Sequence, residues 1–167
     1  MNHWIILLLQ FSASLLASLL IFFVYVQPRL SKLPFERAVL PMLLVQAFRF
    51  TGFTLLVVGQ SDPAIPQDSL TQMAWGDYAS AISALAAAYA LWKRPSFAVP
   101  LIWLFVAVCV ADLFNVTRII LEIDFFSYAI GSTWTFLMWF LPWVVISLFY
   151  ILYRLFRRAP QVASAAK

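Results

Sequence analysis

Histidine and cysteine are nearly missing from this 167-residue chain, which has one of each, His3 and Cys109. One cysteine excludes an internal disulfide and any dithiol pair for redox exchange. Set within an apolar run, that thiol reads as inert rather than nucleophilic. One histidine cannot supply bis-histidine haem ligation, and a zinc site needs several His or Cys ligands. No cofactor is expected. Charge is scarce too: charged residues make up 11% of the chain, against roughly 25% in a soluble domain. Hydrophobic residues make up 64%, more than a water-soluble fold of this length can hide, so lipid is the expected cover. The basic residues behind the net charge of +4 lie between apolar runs, where they report topology rather than a nucleic-acid partner.

What is present is a series of five apolar runs, at residues 4–26, 38–59, 74–92, 98–121 and 130–153. Each is long enough, at about 1.5 Å per residue, to cross a hydrocarbon core of about 30 Å as a helix. Helices satisfy every backbone group internally, and the runs lack the alternation of barrel strands. The first run lacks the basic flank of a signal peptide and is read as a retained span. The sequence therefore predicts an all-α, five-helix transmembrane bundle forming a single domain over 1–167. A polar tail at 159–167 is expected to be disordered. No internal repeat is visible.

Nine of the eleven Lys and Arg residues fall on one side of this arrangement. Arg29, Lys32 and Arg37 follow the first run, Lys93 and Arg94 follow the third, and Arg154, Arg157, Arg158 and Lys167 follow the fifth. The opposite connections carry Asp62, Asp68 and Asp124 and no basic residue. Cytoplasmic loops concentrate Lys and Arg, so the N-terminus is expected outside and the C-terminus in the cytoplasm. Trp4, Trp75 and Trp134 fall near the outer interface, as aromatic belts do. The third run is rich in Ala and Ser, small residues that let helix backbones approach closely, and is expected near the bundle centre. Pro142 removes one backbone hydrogen bond from the fifth run.

Four charges remain inside the runs: Arg49, Asp77, Asp112 and Arg118. Charges in hydrocarbon are costly and normally face the bundle interior with a partner. Counting helical rise from the expected outer ends places Arg49 and Asp112 at similar depth, about 15 Å in, and Asp77 and Arg118 about 4–5 Å in. Two stacked ion pairs are predicted, Arg49 with Asp112 and Asp77 with Arg118. Asp112, Asn115, Arg118 and Glu122 recur at spacings of three and four, which reads as one polar helix face. The expected ligand-binding residues are Arg49, Asp77, Asp112, Asn115 and Arg118, with Gln10, Ser14, Gln46, Thr51 and Tyr78 as possible neighbours. A structural role, in which the pairs fix helix register, competes with this reading.

No lysine lies deep enough for a retinal Schiff base, and no histidine base stands beside a serine. Asp77 and Asp112 differ by about 9 Å in expected depth, against an aspartyl dyad. An enzyme is the least favoured class. Two short patterns, Phe48-Arg49-Phe50-Thr51-Gly52 and Trp75-Gly76-Asp77, resemble small multi-pass proteins of bacterial membranes that have no assigned activity. The resemblance implies a bacterial inner (plasma) membrane protein and brings no substrate with it. The expected function is binding or transport of a small solute or lipid through an outward-facing polar pocket. In that expectation Arg49 and Arg118 contact an anionic group, and the chain forms a homo-oligomer. The alternative is a non-catalytic accessory or assembly subunit of a larger membrane complex.

Overall fold

In the computed structural model the described residues are 3–93 and 95–165, so Arg94 and Lys167 of the topological count lie outside them. The fold is all-α, with no strand among the described residues. Helix α1 (His3–Ile21) passes through a π-helical turn, Phe22–Val26, into the short α2 (Gln27–Leu30). Helix α3 (Phe35–Ala47) tightens into a 3-10 segment, Phe48–Leu56. Three long helices follow: α4 (Gln67–Lys93), α5 (Pro95–Glu122) and α6 (Ser132–Ala165). The segment 159–167, read from sequence as a tail, is helical as far as Ala165.

Among the described residues, four stretches are long and apolar enough to cross a membrane: Trp4–Leu30, Phe35–Leu56, Phe97–Glu122 and Ser132–Arg158. Helix α4 matches them in length but is alanine-rich. Its position explains the difference. It packs against α5, the 3-10 segment and α3, and its Ser80, Ala81, Ala84, Ala87 and Ala88 are buried among them. Where its buried face meets these neighbours, small side chains allow close approach, while Trp75, Ile82, Leu85, Tyr89 and Trp92 stand exposed on its other face. Outer faces of the other helices carry exposed Leu8, Leu16, Leu20, Phe114 and Phe149, which suits contact with hydrocarbon.

Helix α4 begins seven residues earlier than the apolar run, at Gln67 rather than 74. The start is encoded by Pro66 just ahead of the first turn and Asp68 within it, where a carboxylate meets the positive end of the helix dipole. The early start matters for the site. Asp77 lies ten residues into the helix, about 15 Å from its end, and not near the surface.

At one end of the bundle, the backbone N–H of Asp62 donates to Ala129 O at 2.9 Å, Trp4 Nε1 donates to Asp124 Oδ1 at 3.1 Å, and Trp134 Nε1 donates to Gln10 Oε1 at 2.7 Å. At the other end Arg154 donates to the carbonyls of Leu30 and Leu33, at 3.1 and 3.0 Å. The loops with aspartates and the loops with arginines thus close opposite ends.

Pro142 lies fully buried in α6 and has no N–H to offer the carbonyl of Met138, four residues before it. The Ser14 hydroxyl of α1 donates to that carbonyl instead. One missing backbone bond therefore becomes a link between two helices. Ser14→Ala is expected to destabilise the protein by about 1–3 kcal/mol, the cost of an unsatisfied buried acceptor. In a Pro142→Ala background, where a backbone N–H returns, the same change is expected to cost much less. Unfolding of the four proteins in detergent measures this cycle, and equal costs in both backgrounds would refute the link.

Candidate functional site

The 3-10 segment Phe48–Leu56 turns every three residues, so side chains three apart stack. Its buried residues are Arg49, Gly52 and Leu55, a spacing of three. In an α-helix, at about 100° per residue, Arg49 and Leu55 would diverge by about 120°. The tighter winding holds all three against α4. Gly52 is needed for that approach, because a Cβ there would overlap the Asp77 carboxylate. Beside it Phe53 packs on Trp75 and Tyr78, with ring centroids 5.3 and 5.1 Å apart. The two short patterns singled out in the sequence therefore meet in space.

Arg49 is the hub. Its Nε and Nη2 both lie 2.8 Å from Asp77 Oδ1. Nη2 also donates to Asp112 Oδ2, and Nη1 lies 2.9 Å from Cys109 Sγ. One guanidinium thus joins carboxylates from α4 and α5. Asp112 is seated by a second glycine: a Cβ on Gly76 would overlap Asp112 Oδ1, and that oxygen has no hydrogen-bond partner. Deeper in the bundle Gln46 Nε2 donates to Val144 O at 2.8 Å and to Ser147 Oγ at 2.9 Å. Cys109 bridges Arg49 and Gln46, with its Sγ 3.9 Å from Gln46 Oε1. A buried polar chain therefore runs from α4 and α5 through α3 to α6.

The pairing of Arg49 with Asp112 matches the depth argument, but the pairing of Asp77 with Arg118 does not occur. Arg118 donates to both carboxylate oxygens of Glu122 at 2.8 Å and to Asn115 Oδ1 at 3.0 Å, with about half of its side chain exposed. Two physical reasons account for this. Residues six apart on an α-helix are rotated by about 120°, so Arg118 turns away from the interior that Asp112 faces. Glu122 at i+4 also supplies a local partner without a second helix. The run from Asp112 to Glu122 is a stripe that winds from buried to exposed, and Asn115 and Arg118 stand apart from the cluster.

Beside the cluster lies a cavity of about 180 Å³. Arg49, Asp77 and Thr51 border it, and Leu113, Val116, Phe136 and Leu137 give it mainly apolar walls. Asp77 is the accessible charge, with 26% of its side chain exposed against 4% for Arg49 and 3% for Asp112. Thr133 also lines the cavity, and its hydroxyl is buried with no hydrogen-bond partner. Sequence reasoning missed Thr133, Gly52 and Gly76. The glycines carried a signal, since each sits within three residues of a charge set in an apolar run. Among the described residues, no group of three or more His, Cys, Asp or Glu side chains is disposed to hold a metal ion.

Fold and site together define an all-helical protein with apolar candidate membrane spans, built around a buried arginine that bridges two aspartates. The chain belongs to the family described as a domain of unknown function, DUF8737, whose model matches residues 6–156 and so includes every residue of the cluster. Neither curated proteins nor solved structures gave a significant match.

Removing one partner of a buried ion pair leaves the others uncompensated. Arg49→Gln is expected to cost about 3–5 kcal/mol, partly recovered by adding Asp112→Asn. Gly76→Ala is expected to cost about 1–3 kcal/mol through overpacking, and Arg118→Gln less than about 1 kcal/mol. Unfolding in detergent ranks them, and similar losses at Arg49 and Arg118 would contradict the assignment of the hub.

Proposed function

We propose that this protein is a multi-pass plasma-membrane protein that binds a small amphipathic solute or lipid in an outward-facing cavity beside Arg49 and Asp77. The carrying observation is Asp77, the more exposed carboxyl of the cluster, in a cavity whose other walls are mainly apolar. Few polar groups on an apolar lining are the usual makeup of a ligand site.

The charge of the cluster changes the expected ligand. One guanidinium faces two carboxyl groups, and the N–H groups of Arg49 already bond to Asp77, Asp112 and Cys109. The site suits a cationic or hydrogen-bond-donating head against Asp77 and an apolar body along Leu113, Val116 and Phe136. An anionic group held by Arg49 and Arg118 is not supported by this geometry. In transport, this site is the point at which the solute is held.

The orientation follows from the basic end, with Arg29, Lys32, Arg154, Arg157 and Arg158, being cytoplasmic. Phe125 and Phe126, which border the cavity, adjoin Asp124 at the opposite end, and the cavity then faces outward. A reading as a subunit of a larger complex draws on α1, of which 11% is buried in the span Trp4–Leu30, leaving a broad face for lipid or another chain.

Two experiments test these readings. Native mass spectrometry of detergent-purified protein is expected to show a discrete bound mass in the wild type. That mass should fall about tenfold or more in Val116→Phe, which fills the cavity, and in Asp77→Asn, which removes its charge. Bare protein in all samples refutes the ligand reading, and a bound second chain favours the subunit. For orientation, Ala64→Cys is expected to react with an impermeant maleimide on intact cells and Lys32→Cys only after lysis, while buried Cys109 stays silent. The reverse pattern inverts the topology.

A further inference from the structure

The end of the bundle that closes through Arg154 holds a second, chemically opposite site. A pocket of about 460 Å³ lies between the end of α6 and the turn after α2, bordered by Gln27, Tyr150, Tyr153, Arg154, Arg157 and Arg158, with no acidic residue in its lining. The three arginines play different parts. Arg154 is committed to the fold: its guanidinium donates to Leu30 O, Leu33 O and the Tyr150 hydroxyl. Arg158 lies 3.3 Å from Glu36, and the same Nη1 makes no hydrogen bond. Arg157 donates to the Tyr153 hydroxyl at 2.8 Å from Nη1, with its guanidinium 5.4 Å from that ring. Its remaining donors are available to a ligand. Three guanidiniums against Glu36 leave the pocket strongly positive.

This pocket adjoins an apolar groove of about 540 Å³ between α1 and α6, and the two share Gln27, Tyr150 and Tyr153. Leu15, Leu19, Phe23, Val145 and Phe149 line the groove, and Phe23 and Phe149 are well exposed. The π-helical turn Phe22–Val26 lies along it. From Leu15 to Gln27 the groove follows about 18 Å of helix, close to half of a hydrocarbon core of about 30 Å.

We propose that this pocket and groove hold one anionic phospholipid, with its phosphate against Arg157 and Arg158 and an acyl chain between α1 and α6. Guanidinium forks match phosphate oxygens in geometry and charge. Basic pockets between membrane helices on the cytoplasmic side select lipid headgroups in the same way. The adjacency of a basic pocket to an apolar groove about one leaflet long favours a lipid over a free phosphate. This site is independent of the cavity at Asp77.

The test titrates detergent-purified protein with phosphatidylglycerol, phosphatidylcholine of matched chains, or inorganic phosphate, and counts bound species by native mass spectrometry. Phosphatidylglycerol is expected to bind about tenfold more tightly than phosphatidylcholine, and Arg157→Gln to weaken it about fivefold, with little change for phosphatidylcholine. Val145→Trp, which fills the groove, is expected to weaken both lipids. Unfolding curves without lipid identify any variant that fails to fold, and Val145→Trp keeps the test decisive if Arg157→Gln does. Equal binding of both lipids by the wild type would overturn the proposal. So would inorganic phosphate binding as tightly as phosphatidylglycerol, or a groove filled by a second copy of the chain and unaffected by lipid.

Discussion

A guanidinium cannot give up its charge in a protein, and one held among apolar helices must find its counter-charges inside the bundle. Arg49 sets that condition here. Satisfying it draws α4 and α5 to the 3-10 segment that carries the arginine, and three adjustments follow. The segment winds at three residues per turn, so that Arg49, Gly52 and Leu55 share a face. Gly52 and Gly76 give up their side chains where Asp77 and Asp112 must pass. The small residues Ser80, Ala81, Ala84, Ala87 and Ala88 then let one face of α4 pack closely on its neighbours. Each is a local irregularity or an unusually small residue, and all serve one buried charge.

Polar groups deeper in the bundle obey the same logic at lower cost. Gln46 finds Val144 O and Ser147 Oγ, and Ser14 finds the Met138 carbonyl that Pro142 leaves open. With no water in a hydrocarbon core, every such group needs a protein partner. These bonds therefore choose which helices touch, where apolar surfaces alone fit many arrangements equally well. The atoms that stay unpartnered carry more meaning in that setting. Asp112 Oδ1 lies against a glycine, whereas Thr133, whose hydroxyl is unpartnered, lines a cavity.

The two ends differ in chemistry. Near Asp77 the accessible group is a carboxyl in a cluster of two acids and one arginine, and the surroundings are apolar. Near Arg157 the accessible groups are guanidiniums beside an apolar groove. A cationic or hydrogen-bond-donating head suits the first, and a phosphate suits the second. The asymmetry between Asp62, Asp68 and Asp124 on one side and the arginines on the other extends from the loops into the sites themselves.

The linear sequence by itself determined the all-helical class, the apolar spans and the expense of Arg49, Asp77 and Asp112, because these depend on composition, run length and the cost of charge in hydrocarbon. It also reached the contact between Arg49 and Asp112, since depth follows from counting residues along a regular helix. Only the tertiary structure decided that Asp77 shares the same arginine. Its depth depended on where α4 begins, and the start at Gln67 was concealed by a polar stretch that resembles a loop despite Pro66 and Asp68. Only the structure turned Arg118 outward, because a spacing of six advances about 120° around a helix and Glu122 was nearer than any partner across the bundle. The contribution of Thr133 and the adjacency of the basic pocket to the α1–α6 groove were likewise tertiary. They bring together residues far apart in the chain, and no local pattern encodes which faces of two apolar helices meet.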